Sequence, residues 1–463
     1  MTLGQMPGLG LSISVGGDAV LERGYGYADL ARQEPMTEHT QVVIGSTTKA
    51  LTAVAVLQLA DRSLLRLDDR IGKHLPNFRL AGENGDTGIT IRHALTHTAG
   101  LPPTPMNGPE FLFSDDVTDE AAQQFVAELA TAEPVWPPGA GWLYANDGYV
   151  LVGRIIEAVS GMSYEQYMAE NLFQPLGLQE TWFPRRIEPS PETATPYDYG
   201  PDGLAYPSFF PHNRLSNAAG MLVSSAHDAG RWLRALLHGG SAGGKQIVSR
   251  HGLAEMMRPQ ASIPSGQRTS ERGDTSYSLG WMVSTMDDMK VVAHGGSAIT
   301  MGSQFSLIPE RGLAVAAVAN SSTEATAVIV EGVLRLMTGR APERSFPSVQ
   351  KSLEPDRSLW PRLAGVYQPL EPQNAVTSLL PVEVAGYGLR ARTYPGDERR
   401  RPGDIHFVPT TNGLRFVLYG RGKTGSQAEF SIEGSTVLAE LQGAALLKVA
   451  SRLHSGTVAL WRR

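Results

Sequence analysis

The sequence predicts an α+β domain of about 340 residues, followed by a small antiparallel β-barrel or sandwich. Three observations carry this. Strand-like patterns stand at both ends of the first part with helix-like stretches between them, so an antiparallel sheet has to draw on both ends of the chain. The stretch 341–356, with Pro342, Pro347 and Pro355, then breaks all periodicity and reads as a linker. Beyond it come short alternating runs, such as Ile405-His406-Phe407-Val408 and Ala428-Glu429-Phe430-Ser431-Ile432, separated by turn residues. The expected boundaries are 1–340, 341–356 and 357–463.

Taken in order, Leu9 to Gly26 reads as a hairpin that turns at Gly16-Gly17-Asp18. A helix apolar nearly all round follows Gly45, carries Leu51, Val54, Ala55, Val56, Leu57 and Leu59, and ends near Asp61-Arg62-Ser63. Such a helix belongs in a core. Pro76 forbids a continuous helix over 65–80, and Thr90 to Thr98 suits a short one closed by Gly100. Residues 104–140 are rich in Pro and Gly around a helix at 118–131, in the manner of a lid. Amphipathic helices are expected at Tyr149–Ser160, Ser163–Leu172 and Ala226–Leu237. The aperiodic stretch 183–215 reads as loop at the mouth of a site, and Gly239-Gly240-Ser241-Ala242-Gly243-Gly244 as a flexible segment. Strands are expected around Met282–Ser284, at Ser303–Ile308 and at Leu313–Ala319, with a closing helix from Thr323 to Leu336.

Composition narrows the function classes. A net charge of -6 and a pI near 6.0 argue against nucleic acid or an anionic membrane as the main partner. Zero cysteines exclude disulfides, thiolate metal sites and Cys nucleophiles. Met1 to Pro7 shows no basic segment followed by an apolar one, and no apolar run approaches the roughly 18 residues of a membrane span. A cytoplasmic protein without cofactor or metal is the expectation, taking a small-molecule or peptide substrate.

Ser46-Thr47-Thr48-Lys49 carries the chemistry. A Ser three residues before a Lys on a helix puts hydroxyl and ammonium on one face, roughly 5–6 Å apart at Cβ. At the N-terminus of a buried helix, free backbone N–H groups favour developing negative charge. The pattern is cheap alone, as its recurrence at Ser348-Val349-Gln350-Lys351 shows. Two further stretches support it: Tyr144-Ala145-Asn146, on a loop before a helix, and His294-Gly295-Gly296-Ser297, where a strand should lie and where glycines let another backbone come close.

In this order the three motifs resemble the serine β-lactamase and penicillin-binding-protein superfamily, most closely its class C-like branch of esterases and D-aminopeptidases. The resemblance runs from about residue 7 to 335. It includes Leu95-Thr96-His97-Thr98-Ala99-Gly100-Leu101-Pro102, Pro175-Leu176-Gly177-Leu178, Ala219-Gly220-Met221-Leu222 and Leu279-Gly280-Trp281. It implies an antiparallel sheet flanked by helices plus an all-helical subdomain, of β-lactamase/transpeptidase type. Ser46 is then the nucleophile, deprotonated jointly by Lys49 and Tyr144. A hydroxyl needs such an adjacent base, and a neighbouring ammonium favours the phenolate. Asn146 is expected to bond Lys49 or a substrate amide, and the backbone N–H groups of Ser46 and Ser297 to form an oxyanion hole.

The third motif departs from the Lys-Thr-Gly of β-lactamases. The literal Lys423-Thr424-Gly425 lies in the C-terminal β region and reads as a decoy, so His294-Gly295-Gly296 fills the position. A histidine there is expected to carry partial charge near neutrality. It either contacts substrate or hydrogen-bonds Tyr144. Either way esters, amides and short peptides, D-residue peptides included, are favoured over penicillins. Aminolysis of the acyl-enzyme by a peptide cyclase, and true β-lactam turnover, stand as alternatives. Gly295, Gly296, Trp281 and Phe209 are expected to line the pocket. His97, the obvious metal candidate, sits in the Thr-His-Thr-Ala-Gly turn and is read as structural. The sheet edge is either bare or covered by a partner chain, as in a homo-oligomer. The region from Leu363-Ala364-Gly365-Val366-Tyr367 onward resembles the lipocalin-like barrels appended to some of these hydrolases.

Overall fold

The computed structural model describes residues 6–80, 88–101, 125–126, 129, 132–184, 190–199, 205–208, 210, 213–264, 274–298, 300–323 and 325–342, together with the backbone of eight strands between 365 and 450. The antiparallel sheet does draw on both ends of the first domain. Strands β1 (Gly8–Val15), β2 (Asp18–Asp29) and β3 (Glu34–Pro35) come from the N-terminal side. From the other side come β4 (Ala261–Ser262), β5 (Ser276–Tyr277), β6 (Met282–Met286), β7 (Met289–Ser297), β8 (Gly302–Ile308) and β9 (Leu313–Ala319). The order across the nine strands is β4-β5-β6-β7-β8-β9-β1-β2-β3. The first strand is therefore interior, with Leu9 opposite Ala319 on one side and Tyr25 on the other.

Both faces of this sheet are covered, which is why β9 reads Leu-Ala-Val-Ala-Ala-Val-Ala without a polar residue. Ala314, Ala316 and Val318 point into the main core, which also takes in helices α1 (Thr48–Asp61), α2 (Ile91–Leu95), α3 (Asn146–Ser160) and α4 (Ala226–Leu237). Leu313, Val315, Ala317 and Ala319 point the other way, into a second core closed by Ala325, Val330 and Leu334 of helix α5 (Ala325–Met337). Asn320 ties the assembly together at the end of β9. Its Oδ1 accepts the Gly8 N–H at 2.8 Å, and its Nδ2 donates to the carbonyls of Tyr27 and Ala28 at 3.0 and 3.2 Å.

Helix α1 is the buried element its composition predicts: every residue from Thr48 to Leu59 is buried. Each of its Leu and Val side chains contributes about 1.5–3 kcal/mol through burial. Helix α4 starts on a Ser225 cap that accepts the Asp228 N–H, and it spans the predicted residues. Helix α3 ends at Gly161, which takes φ 70°, but begins at Asn146, so Asn146 is the first helical residue and not part of the preceding loop.

Other expectations need correction. Gly239 to Gly244 is not a flexible linker: Ser241–Ala242 pairs with Lys245–Gln246, and Gly243 and Gly244, at φ 54° and 77°, are the two central turn residues that such a hairpin requires. Within the expected 183–215 loop, Tyr197–Tyr199 pairs with Ala205–Pro207. The helix expected over 163–172 is α-helical at Tyr164–Met168, widens to a π turn at Ala169–Phe173, and closes at Leu176. The lid-like helix at 118–131 falls mostly outside the described residues. Between 365 and 450 the eight strands pair antiparallel with their chain neighbours, and Gly365–Pro369 pairs with Ala444–Ala450. Among the described residues no helix is long and apolar enough to cross a membrane.

Candidate active site

Ser46 sits in a 3-10 turn, Gly45–Thr47, that runs directly into α1. Gly45 takes φ 59°, and a Cβ there would stand 2.4 Å from the Ser297 nitrogen. A Cβ on Gly296 would stand 1.9 Å from the Ile44 carbonyl oxygen. These two glycines let the Ser46 turn and the end of β7 meet backbone to backbone, which brings the Ser46 and Ser297 regions together as the motifs predict. The turn is pinned from below. Ser303 of β8 and Thr47 both donate to the Ile44 carbonyl, at 2.6 and 2.9 Å, and Thr48 donates to the Gly45 carbonyl at 2.7 Å.

Lys49 is one helical turn on, with its side chain fully buried. Its Nζ lies 3.0 Å from Ser46 Oγ, 2.8 Å from Asn146 Oδ1 and 2.6 Å from the Ala219 carbonyl. Burial pushes the ammonium well below the usual lysine range. Asn146 Oδ1 and a carbonyl can only accept, so they take both hydrogens of a neutral amine and leave its lone pair to Ser46. Tyr144 completes the group. Its hydroxyl faces the Ser46 side chain, and Lys49 Nζ stands 4.9 Å from its ring centroid. Burial raises the phenol well above its usual range, although the Ser46 side chain opposes this. Desolvation lowers the ammonium and raises the phenol, so both shifts act against a Lys49–Tyr144 ion pair.

The hydrogen bond from His294 to Tyr144 is not formed. His294 is buried, Nδ1–H donates to the Gly295 carbonyl at 2.6 Å, and Nε2 accepts from the Tyr277 hydroxyl at 2.8 Å. Tyr144 is only a ring neighbour, 6.3 Å away between centroids. Burial lowers the imidazole to about 3, so it is neutral near pH 7 and offers no partial positive charge. Trp281 is not a pocket wall either: its large indole is fully buried in the main core. Gly295 and Gly296 are partly exposed on β7. Phe209 and Lys423-Thr424-Gly425 lie outside the described residues.

Sequence reasoning missed the layer beneath. His97, Tyr149, Tyr277 and His294 form a buried cluster against the partly buried Tyr144. The His97 ring lies 4.2, 4.5 and 5.4 Å from the rings of Tyr144, Tyr277 and Tyr149. The Tyr149 hydroxyl donates to the Leu95 carbonyl at 2.8 Å. His97 Nε2 is buried without a hydrogen-bond partner, a cost of about 1–3 kcal/mol. Ser322 was also unforeseen: its Oγ lies 2.7 Å from Ser297 Oγ. The Ala219 carbonyl belongs to a quoted motif, but nothing in a sequence says where a carbonyl points. Among the described residues no group of three His, Asp or Glu side chains is placed to hold a metal ion.

The family model described as Beta-lactamase matches residues 1–336. The chain belongs to the beta-lactamase family. Penicillin-binding protein 4* of Bacillus subtilis (strain 168) is 26% identical over 412 residues, 83% of this chain and 85% of that protein. Among solved structures, the octameric penicillin-binding protein homologue from Pyrococcus abyssi is 27% identical, with a TM-score of 0.65 over 96% of each chain. A D-stereospecific amidohydrolase from Streptomyces sp. is 26% identical, with a TM-score of 0.55 over 68% of this chain and 90% of its own. The chain is thus a serine hydrolase of the beta-lactamase family, related to penicillin-binding proteins and amidohydrolases.

Proposed function

We propose that the protein hydrolyses small esters, amides or short peptides, D-residue peptides among them, through an acyl-enzyme on Ser46. The observation that carries this is the Lys49 amine held by two obligate acceptors, with its third direction on Ser46 Oγ. In acylation, the Ser46 oxygen bonds to the substrate carbonyl carbon while its proton passes to Lys49. The carbonyl pair moves onto oxygen, where the Ser46 and Ser297 amides receive it; such a donor is typically worth about 3 kcal/mol. As the tetrahedral adduct collapses, the leaving oxygen or nitrogen takes the Tyr144 proton, and Lys49 returns its own to Tyr144. Water then repeats the sequence in reverse roles and frees Ser46. A Tyr kept protonated by burial suits the donor step.

A neutral His294 committed to Tyr277 and Gly295 has no cation to offer a penicillin carboxylate, which supports esters and amides above β-lactams. Similarity to the Streptomyces D-stereospecific amidohydrolase adds weight to amides of D-configuration. The test is a substrate panel of p-nitrophenyl esters, D- and L-aminoacyl amides and nitrocefin, with Ser46→Ala as blank and intact-mass detection of the acyl adduct. Loss of kcat on the order of 10⁶ in Ser46→Ala is expected for a nucleophile of this kind. Full activity in that variant, or nitrocefin turnover faster than the esters, overturns the reading. We further propose that 357–463 is a lipocalin-like barrel beyond the 341–356 linker, and that the chain assembles with copies of itself. Similarity over nearly the whole chain to the octameric Pyrococcus abyssi homologue supports the assembly. Light scattering that reports a monomer at working concentration refutes it.

A further inference from the structure

Tyr144 stands at the end of a segment without regular secondary structure, yet its hydroxyl has to meet Ser46. What holds it is His97. The His97 carbonyl accepts the Leu143 N–H at 2.9 Å, and His97 Nδ1 accepts the Ala145 N–H at 3.1 Å. The amides on either side of Tyr144 therefore end on one residue. The His97 ring also lies 4.2 Å from the Tyr144 ring, with 36° between planes, and 4.5 Å from the ring of Tyr277. The grip continues along the turn: Thr98 and Gly100 carbonyls accept the Gly139 and Val135 N–H groups at 2.8 and 2.9 Å. In presenting carbonyl and ring nitrogen to the same segment, His97 adopts φ 60°, in the left-handed region.

We propose that His97 is the positioning residue of Tyr144, a clamp that sets the phenol's place over Ser46 through two hydrogen bonds to its flanking amides and one ring contact. This rests on the Ser46 acyl-enzyme reading. The clamp works only with a neutral ring, because Nδ1 has to accept. A protonated imidazole would set N–H against N–H. Burial holds the ring neutral, well below the usual histidine range. In that tautomer the hydrogen sits on the orphaned Nε2.

The experiment compares His97→Asn and His97→Gly, both of which tolerate the left-handed backbone, each with and without Tyr144→Phe. Asparagine keeps a side-chain acceptor for Ala145; glycine has none. In ester hydrolysis the glycine variant is expected to lose about a hundredfold in kcat with KM nearly unchanged, the cost of roughly 1 Å of misplacement. The asparagine variant is expected to lose less than about tenfold, and neither change to add to the loss in Tyr144→Phe. Equal losses in both variants, a glycine variant with wild-type kcat, or full additivity with Tyr144→Phe overturns the proposal. If the glycine variant does not fold by thermal melting, the asparagine variant decides: folded and within tenfold supports the clamp. Folded but a hundredfold slower, or unfolded as well, refutes it. Full activity of Ser46→Ala or Tyr144→Phe would instead remove the acyl-enzyme reading, independently of His97.

Discussion

At the scale of single residues, burial sets the charge balance of the candidate site around the fully buried Lys49. Lys49 is depressed by burial, so hydrolysis is expected to persist near neutral pH and to decline as acid protonates the amine. A pH–kcat profile checks this, and a rate that rises on acidification contradicts it. His294 makes a matching stability prediction. Its folded-state value, about 3, lies below the ordinary 6.5, so between those values the unfolded chain binds a proton that the folded chain does not. Stability therefore falls as pH drops from about 6.5 toward 3. Urea midpoints at pH 7, 5 and 4 should show the decline, and His294→Asn should reduce it, leaving the share that the buried His97 contributes. That Ser46, Lys49 and Tyr144 come together was legible because the motifs that carry them are patterns of residue type at fixed spacing. Tyr277 and the Ala219 carbonyl were not, because a buried hydrogen-bond partner is set by tertiary packing and leaves no local pattern.

At the scale of elements, the contact between the Ser46 turn and β7 is the most demanding feature. Gly45→Ala places a methyl group 2.4 Å from the Ser297 nitrogen, on a backbone at φ 59°. About 1–3 kcal/mol of strain is expected, read as a lower melting temperature together with reduced kcat, as the Ser46 and Ser297 amides are pushed apart. Ser303→Ala probes the same contact more gently. It removes a 2.6 Å bond to the Ile44 carbonyl and leaves Thr47 as donor, so a loss of about 1 kcal/mol is expected in urea unfolding. The helix ends at Gly161 and Asp61 were readable from sequence, since caps and breakers are local. The hairpin at Ser241–Gln246 was not, because the glycines that signal flexibility also supply the positive φ of a tight turn.

At the scale of the molecule, every strand of β1 to β9 lies before residue 320, and the strands described between 365 and 450 pair with one another and not with that sheet. A chain ended after Arg340 is expected to fold and to hydrolyse esters with undiminished kcat. Loss of the sheet signal in far-UV circular dichroism would show that the C-terminal strands are needed for the fold. The registration of β1 against β9 was beyond the sequence, because strands so far apart are matched by packing on two faces and not by any turn.

That registration also sets a clock during synthesis. Leu9 emerges from the ribosome about 310 residues before its partner Ala319. At about 5–20 residues per second, the hairpin waits some 15–60 s with one edge unpaired. Strand edges left open are where chains stick to one another. The vulnerable period of this protein is therefore its own translation, and conditions that speed elongation or supply a holding chaperone should raise its soluble yield without any change to the finished molecule.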